Sequence, residues 1–247
     1  MKNNEILFIQ TERIPDMTLK GNVNIRKICI GENVKSINPK SLSMCSNLES
    51  IEVDENNERF TSANNCNAII DKTSNTLIVG CYKTEIPEYV TEIGPFAFCG
   101  QTKLDKITIP PNVTKINAYA FEGCSDVTEL KIPNSVKYIG QNCFRNCTNF
   151  KTIYLPNTKI DMDATVFGVV PYNWDGPDDS TFENIYTITP HFKGVTNIIF
   201  EGTLDEYYLN GPFVDLYISG SQLENTHILC VRCKDGQLTY NKWGFNV

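Results

Sequence analysis

The chain has 247 residues, a net charge of −7 and an isoelectric point near 5.0. Its charges of both signs are interspersed without a block of Lys or Arg, which argues against a nucleic-acid partner. No stretch approaches the roughly 20 apolar residues of a membrane span, and the opening MKNNEILFIQTERIPD lacks a signal-peptide core. As written, the chain is expected in the cytoplasm or in a virion, and on a cell surface only if it is a trimmed piece.

Read from the N-terminus, the chain falls into rows of 23 residues. In the first, 5–27, Leu7, Ile14, Leu19 and Ile25 occupy positions that are apolar again one row later. Its polar, irregular remainder predicts a degenerate coil that caps a stack. The row 28–50 is regular: Ile28, Ile30, Val34, Ile37, Leu42, Cys45, Leu48. The row from Ile51 opens normally with Val53, then runs long before Thr84. Its surplus, NAIIDKTSNTLIVG, holds two apolar runs around a polar turn. That pattern predicts a β-hairpin at about 54–80, projecting from the coil edge.

Three regular rows fill 84–152. Each opens on a strand-like pair (Thr84/Ile86, Ile107/Ile109, Leu130/Ile132) and a proline (Pro87, Pro110, Pro133). Each then carries a valine, an isoleucine and a phenylalanine (Phe98, Phe121, Phe144). Across these rows and 28–50, only Ser41, Thr84 and Gln101 break the apolar columns. The row from Ile153 reads as two residues short to Ile160, with Val166 or Phe167 replacing the usual phenylalanine. Residues 168–190 leave the pattern as an inserted loop, in which Tyr172 and Trp174 favour packing. Residues 191–247 form a last repeat and a C-terminal cap.

A fixed period of this length means stacked coils, each burying its apolar edge against its neighbours. The prediction is one solenoid over 1–247 of α/β type, mostly β and irregular, with repeats at 28–167. Cys45, Cys124 and Cys147 share a column and Cys143 fills an alanine column, so they read as small, reduced core residues. A Cys124–Cys147 disulfide stays open on distance, since rungs lie about 4.8 Å apart.

The motif IPxxVxxIxxxAFxxCxxL, the hairpin segment DENNERFTSANNCNAIIDKTSNTLIVGCYKTEIP and the ending FEGTLDEYY…VRCKDGQLTY resemble the BspA-like class of leucine-rich repeat proteins. The resemblance implies a right-handed superhelix with a parallel sheet on its concave face. It also implies a modular binding role, as in bacterial surface adhesins and proteins of gut bacteria, their phages and parasitic protozoa.

Strand alternation places the residues beside the inward pairs on the solvent side of that sheet. The outward set is Lys27 and Cys29; Ser50, Glu52 and Asp54; Lys83 and Glu85; Lys106 and Thr108; Glu129 and Lys131; Thr152 and Tyr154; Asn197, Ile199 and Glu201. Tyr154 and Ile199 are the candidate anchors, because aromatic and apolar groups carry binding hot spots. Tyr172 and Trp174 of the insertion extend the patch. The expected function is a non-catalytic binding module for a protein, with a glycan as the other partner class. The alternative is an architectural component acting through self-association. No cofactor is expected. His227-x-x-Cys230-x-x-Cys233 is half a zinc site on a strand, where positions three apart face opposite sides. Asp175, Asp178 and Asp179 fit no calcium-loop spacing. The sequons at Asn112 and Asn146 arise from the repeat itself.

Overall fold

The computed structural model describes residues 6–163, 165–167, 197–203, 229–241 and 244–246. The chain winds as a solenoid with two ladders of short strands. The first three coils carry β1 (Ile6–Ile9), β2 (Arg13–Ile14), β3 (Lys27–Ile30), β4 (Ser36–Ile37) and β5 (Ser50–Val53). Next come β6 (Phe60–Thr61), the hairpin β7 (Ala68–Asp71) and β8 (Thr76–Gly80), and β9 (Glu92–Ile93) and β10 (Lys115–Ile116). The regular coils continue with β11 (Glu129–Lys131), β12 (Tyr138–Ile139), β13 (Thr152–Leu155) and β14 (Asp161–Met162). The C-terminal end holds β15 (Asn197–Phe200), β16 (Leu229–Arg232), β17 (Gln237–Asn241) and β18 (Gly244–Asn246).

The 23-residue period appears directly in the register. Lys27 pairs with Ser50, Lys115 with Tyr138 and Glu129 with Thr152, all in parallel. Phe98, Phe121, Phe144 and Phe167 form one inner row, with successive rings stacked at 5.1, 5.8 and 5.9 Å. Phe167 therefore takes the phenylalanine column and Val166 the small-residue column. The row from Ile153 is also full length. Met162 pairs with Ile139 in the isoleucine column, so the apparent two-residue deficit came from reading Ile160 into a place that methionine fills.

The cysteine column has a structural task. Cys45, Cys124 and Cys147 donate their Sγ–H to the carbonyls of Leu19, Phe98 and Phe121, each in the preceding coil, at 3.3, 3.2 and 3.1 Å. Burial raises the Cys124 and Cys143 thiols well above their ordinary range and pushes Cys99 and Cys147 up to about 12. Cys29, Cys45, Cys66, Cys81, Cys99, Cys124, Cys143, Cys147 and Cys233 are free thiols.

The hairpin does not project. It is inserted into the stack, and β7 is buried along its whole length. One ladder runs β6–β7–β8–β9–β10–β12–β14, so the hairpin takes the place of a coil strand. Its two faces serve two cores. Ile69 and Val79 pack with Ile28, Leu42, Leu48 and Ile51 on the N-terminal side. Ala68, Ile70 and Leu77 pack with Val90, Ile93 and Phe98 on the other. Both apolar runs are needed inside, which is why neither can swing into solvent.

On the turn side the hairpin supplies the end of β8, whose Gly80 N–H donates to the Ala97 carbonyl at 2.8 Å, and beyond it the flanking coils meet directly. The Met44 N–H donates to the Cys99 carbonyl at 2.7 Å, and Gln101 Nε2 donates to the Cys45 carbonyl at 3.2 Å. Two glycines permit this closure. A Cβ on Gly80 would stand 2.3 Å from the Phe98 ring, and one on Gly100, at φ +77°, would stand 2.5 Å from Met44 Cα. Asn57 locks the corner before the hairpin. Fully buried, its amide donates to the carbonyls of Gly31 and Val34 and accepts from the N–H groups of Arg59 and Phe60. At the hairpin base, burial pushes the Asp71 carboxyl up, but the Arg59 guanidinium at 3.0 Å and the Ser74 and Thr73 N–H groups together hold it below its usual range.

Candidate interaction surface

Strand alternation does place one set of side chains outward on the first ladder. That ladder is in two pieces, β1–β3–β5 and β11–β13–β15–β16–β17–β18. The rows opening at Thr84 and Ile107 were expected to bridge them as strands, but neither forms one. The hairpin explains the break at the first of these rows. The Glu85 N–H donates to the Cys66 carbonyl beside the hairpin, where a regular coil would donate to the strand of the coil before. Parallel pairing on this face resumes at Glu129.

On the N-terminal piece, Lys27 and Ser50 stand in one outward column, and Phe8, Cys29 and Glu52 in the next. Lys27 Nζ bonds to Glu52, and burial together with Glu52 raises the Cys29 thiol, so this cysteine stays protonated rather than nucleophilic. Asp54 lies just past β5 and caps a turn by accepting from the Asn56 N–H at 2.9 Å. It is exposed but is no rung of the ladder. In the gap, Lys83 reaches back to Glu49 at 3.1 Å, while Glu85, Lys106 and Thr108 are exposed.

On the C-terminal piece, Glu129, Thr152 and Asn197 are in register, and so are Lys131, Tyr154, Ile199 and Arg232. Tyr154 and Ile199 are directly adjacent and half-buried. Lys131 Nζ and Glu201 close the same patch at 2.8 Å. Tyr172 and Trp174 lie outside the described residues, as do His227 and Asp175, Asp178 and Asp179. Among the described residues, no group of three His, Cys, Asp or Glu side chains could hold a metal ion. No described helix is long and apolar enough to cross a membrane.

The sequence reading missed two features of this face. Ile6 and Phe8 extend the outward columns and are 50% and 67% exposed. The alternation in ILFI signals this, once Leu7 and Ile9 are taken as the inward pair. The second feature is Glu49. It accepts from the Tyr82 hydroxyl at 2.8 Å and from Lys83, while Lys83 and Lys103 lie over the Tyr82 ring at 5.7 and 5.5 Å. These bonds, led by that from Tyr82, hold the Glu49 carboxyl below its usual range. Nothing local in the sequence links Glu49 to Tyr82, because the hairpin separates them.

The chain is similar to several solved structures, and the first of them shares its fold. A leucine-rich repeat protein from Eubacterium ventriosum matches at a TM-score of 0.52 and 24% identity, over 72% of this chain and 43% of that one. A leucine-rich cell surface protein from Faecalibacterium prausnitzii is 19% identical at a TM-score of 0.42, over 75% of this chain and 50% of its own. The pneumococcal vaccine antigen PcpA is 14% identical at 0.46, over 90% of this chain and 52% of its own. The chain thus spans about half the length of the structures it matches. A search of curated proteins finds no match. The model of the BspA-type leucine-rich repeat region matches residues 4–77 and 78–170 in six copies. The chain therefore belongs to the BspA-type leucine-rich repeat family.

Proposed function

We propose that this protein is a non-catalytic binding module whose concave ladder engages a protein partner. The adjacency of Tyr154 and Ile199 carries the reading. Two large apolar side chains sit side by side on the outward face, where the core does not need them, beside the paired charges of Lys131 and Glu201. An apolar centre with a charged rim is the composition of a hot spot. Glu52, Asp54, Lys83, Glu85, Lys106, Thr108, Glu129, Thr152 and Asn197 supply the polar remainder, and Tyr172 and Trp174 are the proposed extension. Cys29 stands beside Glu52 on this face, but burial and that carboxylate keep its thiol protonated, so we assign it no catalytic step.

The test is capture of partners from the native cell type with the parent chain and with Tyr154→Ala/Ile199→Ser. A partner retained by the parent and lost by the folded double variant supports the concave face. Equal retention by both moves the contact elsewhere.

A further inference from the structure

We propose that the chain dimerises end to end, by antiparallel pairing of β1 with β1 of a second copy across a twofold axis. The inference stands apart from the concave-face reading, because it uses the N-terminal edge of the stack. Among the described residues, β1 has β3 on one side and no strand on the other. Natural sheets guard such edges with charges, prolines or bulges. Ile6-Leu7-Phe8-Ile9 has none of these. The other end of the same face is finished differently, by reversal into the antiparallel strands β17 and β18.

Among the described residues, apolar exposure is concentrated at this end. Of their exposed large hydrophobic side chains, Ile6, Phe8, Met17 and Val23 belong to the terminal coil, against Met44 and Tyr89 elsewhere. Alternation restricts the register of a twofold pair. An axis normal to the sheet keeps both inner faces on one side, so inward residues must meet inward residues. Of the registers this allows, the one with Leu7 opposite Leu7 of the copy puts Phe8 opposite Ile6 of the copy and joins the two exposed patches. Cross-strand aromatic–aliphatic pairs of this kind stabilise antiparallel sheets. One terminal coil also offers about the 20–30 residues per side that a stable interface uses, and twofold dimers are the commonest assemblies.

The experiment is sedimentation equilibrium of the full chain from about 1 to about 100 μM, which spans ordinary dimer affinities. Amide exchange of β1 is followed at both limits. The parent should be a dimer at the upper limit, with β1 amides protected there and exposed on dilution. Phe8→Asp should weaken dimerisation about tenfold or more and keep the monomer's circular dichroism, since that side chain is mostly in solvent; Ile6→Asp serves if Phe8→Asp misfolds. Tyr154→Ala/Ile199→Ser should leave the dimer intact. A parent that stays monomeric at about 100 μM overturns the proposal, and so leaves the edge to another protein. So does a dimer that survives both aspartate variants with β1 exchange unchanged.

Discussion

The regular coils from Thr84 to Phe167 and the junction around the hairpin solve the same packing problem in opposite ways. In the regular coils each position is one of several equivalents. The Phe98–Phe121–Phe144–Phe167 row, the cysteine donors and the Ile93–Ile116–Ile139 column repeat one interaction down the stack. At the junction every fit occurs once. Asn57, the Arg59–Asp71 pair, Gly80 against Phe98 and Gly100 against Met44 have no counterpart in the next coil. Repetition spreads an error over neighbours. A single fit has nowhere to spread it, so the junction sets how well the two cores are coupled.

Phe121→Ala should give the largest loss in the regular part, about 3–5 kcal/mol by denaturant titration, through a cavity between two stacked rings. Asn57→Ala should come close to it, at about 3 kcal/mol, because two carbonyls and two N–H groups lose their partner away from water. A loss under about 1 kcal/mol would show that the junction is looser than its hydrogen bonds suggest.

Gly100→Ala should cost about 2 kcal/mol or more, combining a left-handed backbone with a Cβ against the Met44 backbone. Gly123 in the next coil shares the backbone conformation, but its Cβ would meet only the Gly100 backbone, no closer than 3.5 Å. Gly123→Ala should therefore cost about 1 kcal/mol. Equal losses for the two glycines would erase the distinction between junction and repeat.

Ile69→Ala and Ile70→Ala separate the two cores by one residue. Amide exchange should quicken mainly in β3 and β5 for the first and mainly in β10 and β12 for the second, because their side chains enter different clusters. Uniform acceleration in both variants would mean that the hairpin transmits rather than divides.

The last effect is confined to alkaline pH. Burial pushes the Cys147 thiol up to about 12 from an ordinary value of 9.0. Below about 9 both folded and unfolded chains keep this proton, and the contribution to stability is complete. As pH rises from 9 toward 12 the unfolded chain loses it first, so stability falls. Cys147→Ala should flatten that alkaline limb of the stability curve, measured against the parent in the same buffers.

The repeat was legible because each coil must place apolar groups at the same offsets to bury its neighbour's edge. That constraint wrote the phenylalanine row, the cysteine column and the outward columns into the chain before any coordinates. It slips at the start of the terminal coil, where Leu7 pairs with Ile28 at an offset of 21 rather than with Ile30, which turns Ile6 and Phe8 outward. Met162 escaped because the column demands volume and apolarity rather than isoleucine, and a flexible thioether supplies both. The candidate surface was legible as a set of outward residues, but its division into two strand ladders was not.

What the linear chain determined by itself is therefore the period, the inner columns and the alternation, all consequences of nearest-neighbour burial. Only the tertiary structure decided that the hairpin lies inside the stack, that Met44 meets Cys99 across it, and that Glu49 meets Tyr82. Those contacts join residues far apart in the sequence, and their partners were fixed by which face of the hairpin each core could fill.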